Sequence, residues 1–143
     1  MDKYTDAIKM AFSAAVGYFL GGWDGLLQLL VFVLTVDYIT GLAVAGVFKK
    51  SPKTENGALE TTTGFKGLMR KGCILIIVML VTRLEMALGD TVFCRSTVIT
   101  FFTANEVLSI LENAGLMGVK YPKFIRDALE VLLKKKDGGE NGD

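Results

Sequence analysis

The sequence holds no histidine, two cysteines and one tryptophan among its 143 residues. Without histidine the chain lacks the commonest acid–base side chain and the commonest metal ligand. Two cysteines cannot build a four-thiolate zinc site or a disulfide framework. An excess of one charge is missing too. The 16 basic and 15 acidic residues leave a net charge of +1, which gives no global reason to bind nucleic acid. No metal set, nucleophile–base pair or phosphate loop stands out, so the sequence argues against an enzyme and implies no cofactor. Apolar residues, by contrast, are abundant. They make up 51% of the chain, and adding the 16 glycines raises the share to about 62%, above the about 45–50% of a soluble domain. The mean hydropathy is +0.43. This excludes intrinsic disorder and points to lipid as the solvent.

The apolar residues gather in long runs, and the expected fold is all-α: an integral-membrane helical bundle that oligomerises. Leu26 to Phe48 carries one formal charge, Asp37. At about 1.5 Å per residue, about 20 residues cross a bilayer, and this run suffices. Leu68 to Gly89 is centred on an uninterrupted CILIIVMLV, and Ser96 to Gly118 is a more polar third run. Residues 26–48, 68–89 and 96–118 are therefore read as three transmembrane helices. Before them, residues 1–22 read as an amphipathic helix: Tyr4, Ile8, Ala11, Phe12, Ala15 and Phe19 share an arc of about 100°. It lies in the interface, or forms a fourth, short span; Gly21 and Gly22 end it, and Trp23 sits where an interfacial anchor belongs. Its two acidic residues argue against a cleaved signal peptide.

Basic residues set the topology. Lys49, Lys50, Lys53, Lys66, Arg70 and Lys71 lie between or flank the first two spans, and six more follow the third, whereas the 90–95 turn holds only Arg95. The positive-inside rule puts the 49–67 loop and the C-terminus in the cytoplasm and the 90–95 turn outside. The N-terminus is then external with three spans and internal with four. Pro122 suits the first turn of a short amphipathic helix with Phe124, Ala128, Leu129 and Leu132 on its apolar face. Glu130 and Lys134 are spaced to pair along it. Residues 119–143 thus form a basic helix and a disordered tail. Cys73 and Cys94 fall at opposite membrane faces, so no disulfide joins them.

Ionisable residues inside a span cost about 2.5–3.5 kcal/mol each and mark function by default. Asp37 lies near the middle of the first run, with Thr40, Gly41 and Ala45 beside it. Small residues on that face allow a second helix to approach closely. Asp37 is either a buried acid bonded within its own subunit or a participant in assembly or gating. In the third run Asn105, Glu106, Ser109, Glu112 and Asn113 fall within an arc of about 120° at 3.6 residues per turn. Such a stripe cannot face lipid. It faces another helix, or it faces water in a lumen shared by several subunits. Arg83 either snorkels to the outer face or pairs with Asp37 or Glu106.

The stretches GGWDGLLQLLVFVLTVDYITG (21–41), GFKGLMRKG (64–72) and NEVLSILENAGLMGVKYP (105–122), with the basic end, are similar to the phage holin family. That family includes holin-like proteins associated with toxin secretion in clostridia and other Gram-positive bacteria. The similarity covers roughly residues 20–136, and its most specific pieces are DYITG (37–41) and NEVLSILEN (105–113). The resemblance implies a protein of the bacterial cytoplasmic membrane that assembles with itself among the membrane lipids. Its lesions would release endolysin, or let toxin out, as cargo that need not be bound. It transfers no catalytic residue. Two other functions stay open: a small-ion channel or transporter subunit using the same stripe, and a membrane adaptor using the basic tail.

Overall fold

A computed structural model describes residues 2–89 and 94–137. It contains five helices: α1 (Asp2–Leu20), α2 (Gly25–Gly46), α3 (Thr61–Leu88), α4 (Cys94–Leu116) and α5 (Lys123–Asp137). No strand occurs among the described residues. The all-helical expectation holds. By length and composition alone, one described helix, Gly25–Gly46, is apolar enough to cross a membrane. Helices α3 and α4 have the length but carry more charge, including Lys66, Arg70, Lys71, Arg83 and Glu85 on α3. Helix α3 also begins at Thr61 rather than near Leu68, which confines the irregular connection to 47–60. Residues 90–93 of the expected outer turn and the tail from 138 onward lie outside the described residues, as does the Cys94 side chain.

Each helix boundary has a local cause. Asp24 caps α2 by accepting from the Leu27 N–H at 3.0 Å, where a carboxylate also suits the helix dipole. Gly89 ends α3 with φ 80°, the left-handed conformation that glycine adopts without strain. Gly21 (φ 78°) and Gly22 (φ 112°) reverse the chain between α1 and α2.

Arg95 closes the bundle at that end. Its Nε donates to the Leu20 carbonyl at 2.6 Å, and its Nη2 donates to the Gly22 carbonyl at 3.2 Å. Its Nη1 meets the Asp24 carboxylate at 2.6 Å. The Arg95 backbone N–H donates to Glu85 Oε2 at 2.8 Å, which satisfies one of the open donors of the first turn of α4. A Cβ at Gly21 would lie 2.6 Å from Arg95 Nε, so this close approach requires glycine. The Arg95 hydrogen bond, foremost among several causes, holds the Asp24 carboxyl below its usual range.

The core sits next to this clasp. Val16, Leu27, Leu30, Val33, Leu34, Ile74, Val78 and Ile99 form one buried cluster drawn from α1 to α4. Helix α4 packs most extensively on α2, and it also contacts α3 and α5. Helix α1 packs on α3 and buries only Val16, leaving Tyr4 83% and Phe12 68% exposed. The apolar arc read in residues 4–19 is thus open in the single chain. Thr35, Thr82 and Thr100 each donate to the carbonyl four residues earlier on their own helix, so their hydroxyls need no other partner.

Candidate functional site

Moving along α2, α3 and α4 away from the clasp, the apolar core gives way to charge. Asp37 lies about 18 Å along α2 from its start, and Glu106 lies about 18 Å along α4 from its start, at about 1.5 Å per residue. Helix α3 runs the other way and brings Lys71 between them. The Lys71 ammonium donates to Asp37 Oδ2 and to Glu106 Oε2, both at 2.6 Å. The lysine side chain is 14% exposed and each carboxylate 9%. One cation therefore bridges two acids from two other helices.

Asn113, two turns beyond Glu106, extends the network. Its side-chain amide donates to Thr40 Oγ1 at 2.9 Å and to Asp37 Oδ1 at 3.2 Å. The Thr40 hydroxyl in turn donates to the Asp37 carbonyl at 3.0 Å. Gly41 lies beside this contact: a Cβ there would stand 3.9 Å from Asn113 Nδ2, at ordinary van der Waals distance. Ala45 is buried in the same chain. The small-residue face of α2 thus meets Asn113 of α4 at Thr40 and lines the neighbouring cleft at Gly41 and Ala45.

The sequence-predicted residues divide into three groups. Asp37, Thr40 and Asn113 meet directly, Glu106 joins them through Lys71, and Gly41 and Ala45 lie on the same stretch of α2 at the wall of a cleft. Ser109, Asn105 and Glu112 line a cleft of about 430 Å³ that also touches Lys71 and the connection residues Ser51, Lys53 and Glu60. Asn105 and Glu112 are exposed, and Glu112 accepts from Arg126 of α5 at 3.5 Å. No residue of the apolar core cluster lines this cleft, so it ends at the ion pairs. The polar arc of α4 is split accordingly. One edge is paired to α2 and α3, and the other borders open space.

Arg83 stands apart. Its guanidinium lies 3.9 Å over the Tyr18 ring, and its Nη1 donates to the Tyr18 carbonyl at 3.4 Å. The alternative pairing with Asp37 or Glu106 is corrected, because twelve helical residues, about 18 Å, separate Arg83 from Lys71. Glu130 likewise pairs with Arg126 at 3.2 Å, one turn earlier, rather than with Lys134.

Lys71 is the residue that the sequence reading missed as a site residue, because it was assigned to the basic flank that sets topology. A signal was present. Ile74, Val78 and Thr82 are the buried positions of α3, and Lys71 lies on the same stripe one turn earlier. It also borders a second groove, largely apolar, between α2 and α3, lined by Val31, Leu34, Tyr38, Leu68 and Leu75. Lysine thus divides a polar cleft from an apolar groove. Among the described residues no cluster of side chains suits a metal ion.

The model of the bacteriophage holin family matches residues 14–134, which include α2, α3, α4, every residue of the ion-pair network and most of α5. The chain belongs to the bacteriophage holin family, which is not a family of enzymes and implies a membrane location. Among its relatives, an uncharacterised protein of Listeria innocua is 36% identical over 131 residues, 92% of this chain and 87% of the relative. An uncharacterised 14.9 kDa protein from the nagH 3′ region of Clostridium perfringens is 34% identical, over 83% of this chain and 85% of the relative. A protein of Bacillus phage phi105 described as a probable holin is 29% identical, over 83% of this chain and 82% of its own length. No solved structure matches the chain.

Proposed function

We propose that this chain is a holin that oligomerises in the bacterial cytoplasmic membrane and opens large, non-selective lesions. Helices α2, α3 and α4 are the three spans, with α1 in the interface on the outer side. The 47–60 connection and the C-terminus are cytoplasmic, as the distribution of lysine and arginine directs. The lesion passes endolysin to the cell wall or lets toxin out.

The observation that carries this reading is the pairing of the α4 polar edge on Lys71, Asp37 and Thr40 beside a blind cleft. Within hydrocarbon each of these groups needs a partner, and the single chain supplies one. In an oligomer the same groups can exchange those partners for water in a shared lumen. The two packings are then separated by differential hydration, and the population shifts as protomers accumulate. No catalytic step is part of this function.

Inducible expression in bacteria, with and without a co-expressed cytoplasmic endolysin, tests the proposal. The expected result is abrupt growth arrest with the chain alone and rapid lysis only when the muralytic enzyme is present. Ion leakage without endolysin release would instead establish the channel.

A further inference from the structure

Helix α5 is attached to the bundle by only part of its apolar surface. On a helical wheel, Val131, Phe124, Ala128, Ile125 and Leu129 follow one another around an arc of roughly 160°. Helix α4 partly covers the Ile125 and Leu129 edge. Phe124 stays 69% exposed and Val131 57%, and Ala128 between them is exposed as well. The uncovered residues recur at i, i+4 and i+7, one continuous strip along two turns of helix. The same segment is strongly basic. Residues 119–137 include Lys120, Lys123, Arg126, Lys134, Lys135 and Lys136 against Asp127, Glu130 and Asp137, and Glu130 is already paired with Arg126. Tyr121, half-buried in the turn after α4, is the residue type that settles at the headgroup level.

We propose that the uncovered strip of α5 docks on the anionic inner leaflet, with Phe124, Ala128 and Val131 at the acyl boundary and the lysines against phosphate headgroups. The inference rests on the membrane-spanning reading above and adds the lipid class and the face. Two features select this partner. The segment that carries the strip has Lys123 at its start and Lys134, Lys135 and Lys136 at its end, a charge complementary to an anionic surface. Its place immediately after α4 also puts it at the level where an α4 that spans the bilayer emerges. An amphipathic helix with lysines beside an apolar strip binds an interface through both terms, and each lysine near an anionic surface adds attraction.

The test uses the full chain with Cys73 and Cys94 replaced by serine and one environment-sensitive dye attached at Val131→Cys or Arg126→Cys. The protein is reconstituted in vesicles of phosphatidylcholine alone or with phosphatidylglycerol. The dye at 131 should shift to the blue and escape iodide quenching in the phosphatidylglycerol vesicles, while the dye at 126 stays quenched. Charge reversal at Lys134, Lys135 and Lys136 should remove the dependence on phosphatidylglycerol. Quenching at 131 equal to that at 126 in a chain that resists alkaline extraction would overturn this inference alone. Protection at 131 regardless of lipid charge, with disulfide cross-linking between copies in the unlabelled cysteine variant, would overturn it in favour of a second chain as the occupant. A chain that alkaline extraction removes would defeat the spanning reading as well.

Discussion

Lys71 carries a large energetic consequence, because two buried carboxylates depend on one ammonium. Removing one partner of a buried pair costs about 3–5 kcal/mol, since the other charge is left without compensation. Lys71→Met should therefore abolish accumulation of the protein in membranes, as read by quantitative immunoblot. Neutralising the acids in the same chain, with Asp37→Asn and Glu106→Gln, should restore accumulation. Failure of that rescue would show that Lys71 acts through something other than these two bonds. Gly41 gives a finer test of the α2–α4 contact. Gly41→Ala places a methyl at ordinary contact distance from Asn113 and adds helix propensity, so it should be neutral or stabilising by about 0.5–1 kcal/mol. Gly41→Leu should displace the Asn113 amide and lower the amount of folded chain. Its effect would then come before assembly, and normal abundance with normal thermal stability in detergent would contradict the placement.

The helices differ in how far their roles were written in the sequence. The apolar run from Leu26 is almost uniform, so α2 was legible from composition. The polar arc of α4 was legible as an arc, but its division was not. Nothing in a helical wheel says that Glu106 and Asn113 find partners on α3 and α2 while Asn105 and Glu112 stay exposed at the mouth of the same cleft, because that depends on the position of neighbouring helices. Lys71 was misjudged for a related reason. A lysine near the end of an apolar run fits both a snorkelling flank and a buried stripe, and only α3's extension back to Thr61 places it well inside its helix. The clasp by Arg95 joins residues more than seventy positions apart, and no local pattern announces it. Two predictions belong at this scale. A cysteine at Ser51 should resist an impermeant reagent in intact cells, and labelling there would reverse the proposed topology. The second concerns Asp24, whose carboxyl titrates lower in the folded chain than in the unfolded one. Its bond to Arg95 is fully present above the ordinary carboxylate range and is lost as pH falls through the lowered folded value. For a partly exposed pair the contribution is about 0.2–1 kcal/mol. Thermal unfolding in detergent should separate wild type from Asp24→Asn at neutral pH, with the gap closing below about pH 4. A gap that persists in acid would mean that Asp24 stabilises by capping geometry alone.

At the scale of the whole molecule, the bundle has an apolar half and a charged half. The apolar core, closed off by Arg95, seals one end, while the cleft opens from the 47–60 connection toward the ion pairs. Under the proposed function such a chain has two arrangements: one dispersed, with Asp37, Lys71, Glu106 and Asn113 paired internally, and one assembled, with those groups wetted. Membership of the bacteriophage holin family supplies the biological setting, and in the proposed function the ion-pair network is the element whose packing differs between the two arrangements. The central claim is that these charges are retained for the assembled state rather than for folding. Replacing a buried ion-pair set by apolar residues of similar volume is commonly neutral or stabilising by about 1–4 kcal/mol. The combined variant Asp37→Leu, Lys71→Met, Glu106→Leu separates the two roles directly, with membrane abundance and dye release measured on the same induced cells. The account predicts wild-type or higher abundance with release delayed or absent. Wild-type release per molecule from the uncharged chain would contradict it.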